Sequence, residues 1–429
     1  MPTRVAILAG LRCPFSRASG PLSSIAADDL AALVARQLID RASFDPARID
    51  SVIFGNVAQP PDAANIARVI ALKVGLPASV VAHTVHHNCA SGMRSITDAA
   101  LNIASGRSSV VLAGGTESMS RIPLLFNERM TKLFVRVMRA RTMTARITAL
   151  ASIRPRHLQP VIALKLGLTD PLCGLNMGET AEVLAREFGV TRDEQDAFAL
   201  ESHRRAVAAQ QAGRFSDEIV PIIVPPKYEH VQEHDDGPRP EQSMEALAKL
   251  KPYFDRQAGT VTVGNACPVT DGAVAVLMAD EKTARSLNIE PIGFLSGWAY
   301  AGLDGRRMGL GPAYATARLV AEMGRELKDF DLVELNEAFA AQVLANCRAF
   351  ESSRFARDQL ARPKALGELD PDRLNVNGGA IAMGHPVGAT GSRLVLTTLL
   401  ELKRRGLRRG LATLCVGGGQ GAALALEAA

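Results

Sequence analysis

The chain has 429 residues, of which 47% are apolar and 22% charged, a composition typical of a globular protein with two or three domains. Aromatic residues make up only 4%, which gives no support to a stacking surface for nucleic acid, so we expect no nucleic-acid partner. The formal net charge of +5 is uneven, because residues 126–165 hold nine Lys or Arg residues and one acid, Glu128.

The six cysteines are scattered along the chain and form no CxxC pair. In a chain of this length, such spacing indicates neither a disulfide framework nor a zinc site, and it favours a reducing environment. No apolar run approaches the ~20 residues that are needed to span a bilayer. We therefore expect a cytoplasmic protein without a bound metal.

Strand-like and helix-like runs alternate through the first part of the chain. The predicted order is strand, helix, strand, helix, strand, helix and strand, over residues 4–10, 28–42, 51–57, 63–74, 80–86, 89–106 and 108–118. This alternation is typical of a parallel sheet that is covered by helices.

The end of the chain repeats part of its beginning. In residues 91–117 and 390–420, a small residue and a glycine open an amphipathic helix, Gly106 or Gly406 ends it, and an apolar strand then runs into glycines. Two copies of one α/β unit are the simplest explanation, and chance similarity of two helix–strand units is the alternative.

The middle of the chain has a different character. Residues 121–250 show a mostly helical pattern and predict an insertion, after which 259–280 return to strand character and rejoin the first sheet. Within the insertion, apolar residues recur at the spacing of an amphipathic helix whose other face is basic. These residues are Met130, Leu133, Phe134, Val137 and Met138.

Residues 83–94 read HTVHHNCASGMR and place Cys89 between a strand and a helix. Three roles are open to it: a metal ligand together with His83, His86 and His87, a packed core cysteine, or a nucleophile. Local chemistry favours the nucleophile, because a thiolate at a helix start faces free N–H groups and the positive end of the helix dipole. These interactions predict a lowered pKa for the thiol and suit a developing oxyanion.

Three later stretches carry candidate partners for this cysteine. His385 lies in residues 375–393, which hold five glycines, and so small-walled a setting favours a functional histidine over a packed one. Asn336 stands at a strand-to-helix boundary, where a helix N-cap and a functional role are equally open. Cys415 ends an apolar strand before three glycines, and local sequence alone favours core packing for it.

Taken together, four stretches resemble the thiolase superfamily. NCASGMR is similar to its nucleophile box, NEAFA to its asparagine box, GHPVGATGSR to its histidine box and CVGGGQG to its second-cysteine box, in the family's order. The resemblance implies an α/β thiolase fold with two pseudo-symmetric halves, each with a mixed five-stranded sheet, in an αβαβα layering with an inserted helical loop domain. The expected bounds are 1–120 with 251–282 for the N-terminal half, 121–250 for the loop domain and 283–429 for the C-terminal half.

The resemblance also implies a role for each catalytic residue. Cys89 takes the acyl group as a thioester, and His385 accepts its proton. Cys415 moves a proton to or from the acetyl α-carbon or the departing thiol. Asn336 holds a water that forms one oxyanion hole with His385, and the N–H groups of Cys89 and Gly417 form the other. Cys415 is thereby expected to be catalytic and not merely packed.

Coenzyme A is implied as a substrate, and no permanently bound cofactor is expected. Residues similar to the family's coenzyme A contacts are Met177, Val263, Cys267 and Phe339. The chain departs from the family pattern at Cys267, where many relatives have Ser, and at Asn176, where several have His. These departures concern the pantetheine contacts and the preferred chain length of the acyl group.

The implied reaction is reversible cleavage of 3-ketoacyl-CoA by coenzyme A to acetyl-CoA and a shortened acyl-CoA, in fatty acid β-oxidation. One alternative is the biosynthetic condensation of two acetyl-CoA, and an alternative of another class is a non-catalytic subunit of a β-oxidation complex. We expect a homodimer or homotetramer. Residues 126–165 resemble a segment of complex-forming thiolases, so they are expected to contact a membrane surface, a dehydrogenase/hydratase subunit or only their own loop domain.

Overall fold

The computed structural model describes residues 4–429, so the first three residues of the predicted N-terminal half lie outside it. In chain order the strands are β1 (Val5–Arg12), β2 (Ser16–Arg17), β3 (Ser51–Gly55), β4 (Val81–Val85), β5 (Val110–Ser118), β6 (Leu124–Phe126), β7 (Pro160–Ile162), β8 (Ile222–Val224), β9 (His230–Gln232), β10 (Thr270–Asp280), β11 (Gly293–Gly302), β12 (Leu332–Leu335), β13 (Arg409–Val416) and β14 (Gln420–Ala428).

The helices are longest in the two α/β halves and in the middle of the insertion. They are α1 (Ala27–Arg41), α2 (Ile66–Val74), α3 (Ser91–Ala104), α4 (Glu128–Arg139), α5 (Met143–Ala151), α6 (Ala163–Gly167), α7 (Met177–Phe188), α8 (Arg192–Gln211), α9 (Met244–Ala248), α10 (Glu281–Ser286), α11 (Gly311–Met323), α12 (Ala340–Glu351), α13 (Ser353–Leu360), α14 (Ala380–Met383) and α15 (Val387–Arg405).

One sheet of ten strands carries both halves of the molecule. Its order is β4-β3-β5-β10-β1 followed by β11-β14-β13-β12, and the short β2 pairs with β10. The halves join where β1 and β11 run antiparallel over only three residue pairs, from Val5 to Ile7 on β1. The C-terminal half has four strands in this order, and a fifth is reduced to a single bridge between Val333 and Leu374. The strand orders of the two halves are therefore mirrored about the β1–β11 contact.

Helices form three layers around the two halves of the sheet. The helices α1 and α2 pack on β10 and β3 on one outer side, and α11 packs on β14 and β11 on the other. The repeated helices α3 and α15 lie together in the middle layer, where a core of aliphatic side chains from both helices joins the strands of both halves. This is the five-layer arrangement that the resemblance implied.

The two middle helices approach each other closely at their first turns. A Cβ at Gly92 would lie 2.7 Å from the backbone nitrogen of Ser392, and one at Gly391 would lie 2.5 Å from the backbone nitrogen of Met93. Such distances are too short for any side chain, so glycine is required at both positions. The small residue–glycine pairs that open the repeated helices thus allow the N-terminal parts of α3 and α15 to pack closely against each other.

The inserted segment holds α4 to α9 and two short hairpins, β6–β7 and β8–β9. The return to strand character was predicted too early, because only Thr270–Asp280 of the predicted stretch 259–280 forms a strand. Residues before it form a loop, since the buried carboxylate of Glu182 accepts hydrogen bonds from the backbone N–H groups of Thr260 and Val261. None of the helices within residues 4–429 is both long and apolar enough to cross a membrane.

Candidate active site

Cys89 lies in the connection between β4 and α3, as the sequence predicts. The Ser91 hydroxyl stabilises this connection: it accepts a 2.8 Å hydrogen bond from the His87 N–H and donates a 2.7 Å bond to the Asn88 carbonyl. Asn88 has φ of +44°, a left-handed conformation that asparagine adopts more readily than most residues. The turn therefore places Cys89 just before Ala90, the N-cap residue of α3.

Two backbone N–H groups, those of Gly417 and of Cys89 itself, lie near enough to the Cys89 sulfur to favour its thiolate. The Asn88 amide orients the partner loop by donating a 2.7 Å hydrogen bond to the Gly417 carbonyl. The prediction of a lowered thiol pKa is nevertheless wrong. Burial raises the pKa of Cys89 more than the two N–H groups lower it, because desolvation penalises the thiolate.

His385 is buried between the start of β10 and the first turn of α15. Its backbone N–H donates to the Thr270 hydroxyl at 3.1 Å, and its Nδ1 lies 2.6 Å from the Thr390 hydroxyl oxygen. That hydroxyl donates its single hydrogen to the Pro386 carbonyl at 3.0 Å, so it accepts from Nδ1–H. We assign the proton to Nδ1 on this network, which leaves the lone pair on Nε2.

The free nitrogen of His385 suits a proton acceptor. Nε2 is buried and has no hydrogen-bond partner within residues 4–429. Burial lowers the pKa of the imidazole to about 4, with a smaller effect from the positive charge of Arg393. The resting site therefore pairs a neutral thiol with a neutral imidazole at pH 7.

Cys415 lies buried near the end of β13, close enough to Cys89 and Cys267 for their charges to affect its ionisation. Burial raises the pKa of Cys415 well above its usual range, and burial raises the pKa of Cys267 to about 12. The fold thus brings three thiols from three distant segments into one region. The sequence singled out Cys267 only through its resemblance to a coenzyme A contact and did not place its thiol in this group.

Asn336 is not a helix cap. The next helix, α12, begins at Ala340 with Phe339 at its N-cap position. The Asn336 backbone N–H bonds to the Thr413 carbonyl at 3.0 Å, but both polar atoms of its fully buried side chain lack a partner within the described chain. Buried amides are rarely left unpaired, which favours a functional role over capping.

Three of the four predicted coenzyme A contacts lie together. Met177, Cys267 and Phe339 share one apolar cluster with Cys415. Val263 lies outside that cluster and is 61% exposed. The cluster also contains Phe254, whose ring packs edge-on against Phe339 with centroids 5.9 Å apart and which the sequence motifs did not single out.

The nearest of the histidines before Cys89 makes contacts with the C-terminal half. His87 Nε2 lies 2.9 Å from the Gln420 amide oxygen, and its ring packs 5.2 Å from that of Tyr300. Among residues 4–429, no group of three or more His, Cys, Asp or Glu side chains is arranged to hold a metal ion.

Known families and structures match this chain and its fold. Residues 5–282 match the thiolase N-terminal domain and 289–428 the thiolase C-terminal domain. A 3-ketoacyl-CoA thiolase of Pectobacterium carotovorum is 42% identical over 99% of this chain and 96% of its own length.

Two solved structures extend the comparison. The acetyl-CoA acetyltransferase of Bacillus anthracis is 36% identical with a TM-score of 0.87, covering 100% of this chain and 99% of that one. Human mitochondrial 3-ketoacyl-CoA thiolase in complex with CoA is 36% identical with a TM-score of 0.84, covering 100% and 98%.

The chain belongs to the thiolase family, and it is an acyltransferase. The predicted family, fold class and enzyme class are thereby confirmed. The 3-ketoacyl-CoA thiolases among the relatives also support the predicted thiolytic cleavage.

Proposed function

We propose that this thiolase cleaves 3-ketoacyl-CoA through an acyl-enzyme on Cys89, in fatty acid β-oxidation. The observation that carries this proposal is the convergence of two N–H groups on the Cys89 sulfur beside Cys415. Thiolate is both a strong nucleophile and a good leaving group, as transfer between carbon and sulfur requires. The names of the relatives supply the substrate class, and the CoA-bound neighbour supports coenzyme A as the second substrate.

In the first half-reaction, Cys89 attacks the 3-keto carbon while its proton moves to His385 Nε2. The N–H groups of Cys89 and Gly417 stabilise the oxyanion that forms on that carbon, an effect typically worth ~10²–10³ in rate per donor. The C2–C3 bond then breaks, and the electron pair remains on C2 of acetyl-CoA as an enolate. A water on Asn336, together with His385, stabilises the enolate oxygen, and Cys415 gives its proton to C2.

In the second half-reaction, the Cys415 thiolate accepts the thiol proton of coenzyme A. The coenzyme A sulfur attacks the acyl carbon, and the Cys89 sulfur leaves and recovers its proton from His385. All three side chains return to their starting states. The same steps in reverse condense two acetyl-CoA, so the biosynthetic direction differs only in which substrates are supplied.

The acyl-enzyme is the test of this mechanism. Incubation with a 3-ketoacyl-CoA should add the mass of one acyl group to the peptide that contains Cys89, as measured by mass spectrometry. Cys89→Ala should lose both the adduct and thiolysis. Thiolysis retained by Cys89→Ala would reject the assignment, and so would an adduct found on another cysteine of the wild-type enzyme. Rates with a series of acyl chain lengths then define the substrate preference.

We also propose that the hairpin formed by α4 and α5 binds an anionic membrane surface. The helix stripe predicted for this segment is only partly buried: Met130 and Leu133 pack inward, whereas Met138 is 80% exposed. Further exposed apolar side chains lie on β6 and α5, namely Leu124, Phe126, Met143, Ile147 and Leu150. An exposed apolar surface of this kind requires a partner.

The charges of the hairpin indicate what that partner is. A groove of about 840 Å³ between the two helices is lined by Lys132, Arg136 and Arg139. The one acid of the segment, Glu128, is neutralised by Lys132 at 2.5 Å. Basic and apolar residues together suit anionic phospholipid headgroups, to which each basic residue near the surface contributes about 1 kcal/mol.

Vesicle sedimentation tests this proposal. Binding to phosphatidylglycerol vesicles should exceed binding to phosphatidylcholine vesicles and fall with salt. Arg136→Glu with Arg139→Glu should weaken it at least about tenfold. The control is Arg318→Glu with Arg354→Glu, which changes the charge equally on exposed sites of the C-terminal half. Equal losses in both variants would contradict a specific surface, and binding of a dehydrogenase/hydratase subunit instead of vesicles would assign the hairpin to protein assembly.

We further propose a homodimer formed through β4. This strand ends the ten-stranded sheet, and Val81 on it is 69% exposed. An unpaired strand edge is a template for pairing with a second copy across a two-fold axis. Val81→Lys should therefore lower the mass measured by light scattering, whereas Leu172→Lys, at a site 97% exposed elsewhere, should not. A monomeric wild-type protein would contradict the dimer, and a mass of four chains would indicate that two dimers associate.

A cytoplasmic location remains our proposal as well. All six cysteines are free, and the chemistry of the site requires reduced thiols on Cys89 and Cys415.

A further inference from the structure

Glu117, near the end of β5, is a buried carboxylate for which the catalytic steps above assign no role. Four N–H groups donate to it, each at 3.0 Å: the Asn56 side-chain amide and the backbone of Ala58 to Oε1, and the backbones of Val57 and Gly388 to Oε2. The two oxygens therefore each accept two bonds, and every hydrogen-bond partner is a donor. A carboxylate satisfied in this way connects segments that are far apart in the chain.

The Gly388 bond connects Glu117 to the histidine loop. Gly388 lies in the first turn of α15, three residues after His385 and two before Thr390. That turn also supplies the Pro386 carbonyl and the Thr390 hydroxyl that orient the imidazole. Because a carboxylate at a helix N-terminus is favoured by the free N–H groups and the helix dipole, Glu117 holds this turn in place.

The first turn of α15 packs closely against its neighbours, with no space for a Cβ at the glycines on either side of the contact. A Cβ at Gly388 would lie 2.9 Å from the Glu117 carboxylate and 2.6 Å from the Thr116 carbonyl. A Cβ at Gly115 would lie 2.0 Å from the Gly388 carbonyl, and one at Gly92, in the first turn of α3, would lie 3.0 Å from it. The turn that carries His385 is therefore pressed against both β5 and the helix that follows Cys89.

Glu117 also places a charge near the nucleophile. Burial, helped by the charge of Asp271 on β10, raises the pKa of Glu117 to about 7 against the lowering effect of the N–H groups. The carboxylate in turn adds to the raised pKa of Cys89. Cys89 also faces the thiols of Cys415 and Cys267.

We propose that Glu117 is a positioning residue for acyl transfer: it holds the His385 turn against Cys89, and its carboxylate, when ionised, adds a negative charge that disfavours the Cys89 thiolate. The inference rests on the proposed acyl-enzyme mechanism. Burial, and to a smaller degree this charge, disfavours a standing thiolate, so the Cys89 proton leaves only when His385 Nε2 is in position to accept it. The site thereby keeps its nucleophile protonated until substrate is bound.

Glu117→Gln tests both parts of this role. The amide keeps the shape but removes the charge and points an N–H₂ group at donors. We expect kcat to fall about 10- to 100-fold with KM nearly unchanged, as for loss of base positioning. The pH midpoint of Cys89 alkylation by iodoacetamide should fall by up to about one unit, because a negative charge that disfavours the thiolate is removed.

Glu337→Gln is the matched control. Its carboxylate is also buried and holds the other end of the same loop, accepting from the Ile381 N–H at 3.2 Å and the Ser202 hydroxyl at 2.6 Å. Its charge acts on Cys267. We expect this variant to lower kcat but to leave the alkylation midpoint of Cys89 in place. If Glu117→Gln leaves the midpoint unchanged, or both variants shift it equally, the proposed role of Glu117 is overturned.

A double variant tests whether the effects of Glu117→Gln come from simple loss of structure. Asn56→Asp together with Glu117→Gln returns one carboxylate and one donor–acceptor pair between the two side chains, with loss of the Asn56 bond to the Thr116 carbonyl. We expect this double variant to regain about tenfold in kcat over Glu117→Gln and to return the alkylation midpoint toward wild type. A double variant that folds, by circular dichroism, but shows no recovery of either quantity would overturn the proposal.

Alkylation also separates this proposal from the acyl-enzyme mechanism. The iodoacetamide reaction at Cys89 needs no substrate, so the effect of Glu117 on the thiol is measurable whatever the enzyme turns over. A normal shift in midpoint without any acyl adduct in the wild type would reject the mechanism alone. An acyl adduct in the wild type without a shift in Glu117→Gln would reject the role of Glu117 alone.

Discussion

The side-chain amide of Asn88 donates a 2.7 Å hydrogen bond to the carbonyl oxygen of Gly417, 329 residues further along the chain. Asn88 directly precedes the nucleophile, and the N–H of Gly417 faces the Cys89 sulfur. One hydrogen bond thus connects the glycine loop of the C-terminal half, which carries the Gly417 N–H, to the turn that carries the nucleophile of the N-terminal half.

Asn88→Gly should lower kcat by about 10²-fold, because the loop that carries the Gly417 N–H loses its hydrogen bond to the turn that carries the nucleophile. Glycine tolerates the left-handed conformation at this position, so the backbone is kept while the side chain is removed. Acylation measured in a single turnover should slow by the same factor. Wild-type rates of acylation in this variant would show that Gly417 is oriented by its own loop.

Thr390→Val should slow the enzyme about 10- to 100-fold, because Nδ1 of His385 loses its acceptor and the proton is no longer held away from Nε2. Thr390→Ser keeps the hydroxyl and should recover most of the rate. Proton NMR of the histidine ring nitrogens would check the tautomer directly. Equal rates in the Val and Ser variants would contradict the assignment of the proton to Nδ1.

Cys415→Ser should still form the acyl-enzyme on Cys89 but lose exchange of the acetyl α-proton. A serine hydroxyl is far less acidic than a thiol, so it neither removes nor returns that proton at a useful rate. Exchange is followed by NMR of acetyl-CoA in deuterated buffer, and acylation by mass spectrometry. Normal exchange in this variant would remove Cys415 from its role as the acid and base at C2.

His203→Asn should reduce the loss of stability in acid. Burial lowers the pKa of His203 to about 4, so between pH 6.5 and 4 the unfolded chain binds a proton there that the folded protein does not. As the pH decreases over this window, the free energy of unfolding therefore decreases, by up to about 3 kcal/mol from this one group. Asparagine keeps an acceptor for the Arg239 N–H, which bonds to Nδ1 at 3.2 Å.

Urea unfolding of both proteins at pH 7 and pH 4.5 measures this difference. Glu117 acts in the opposite direction, because its pKa of about 7 lets the folded protein bind a proton first as the pH falls. The comparison of His203→Asn with wild type cancels such shared contributions. If the free energy of unfolding changes between pH 7 and pH 4.5 by the same amount in both proteins, the assignment to His203 is contradicted.

Much of the fold follows from local sequence. The strand and helix around Cys89 lie close to their predicted bounds, since alternation and helical periodicity are properties of neighbouring residues. The structure also shows the predicted repeat of residues 91–117 in residues 390–420, since its two helices, α3 and α15, pack together in the middle layer. The start of β10 was predicted too early, because the carboxylate of Glu182, which is distant in sequence, binds the backbone of the loop that precedes the strand.

The sequence by itself determined which residue types were present for chemistry: a cysteine before a helix, a histidine among glycines and a second cysteine at the end of a strand. Tertiary structure decided their properties. The direction of the Cys89 pKa shift, the free Nε2 of His385 and the unpaired amide of Asn336 all depend on burial and on partners far away in the chain. The role proposed for Glu117 depends on the same long-range contacts, because desolvation and hydrogen bonding are set by which segments meet in space.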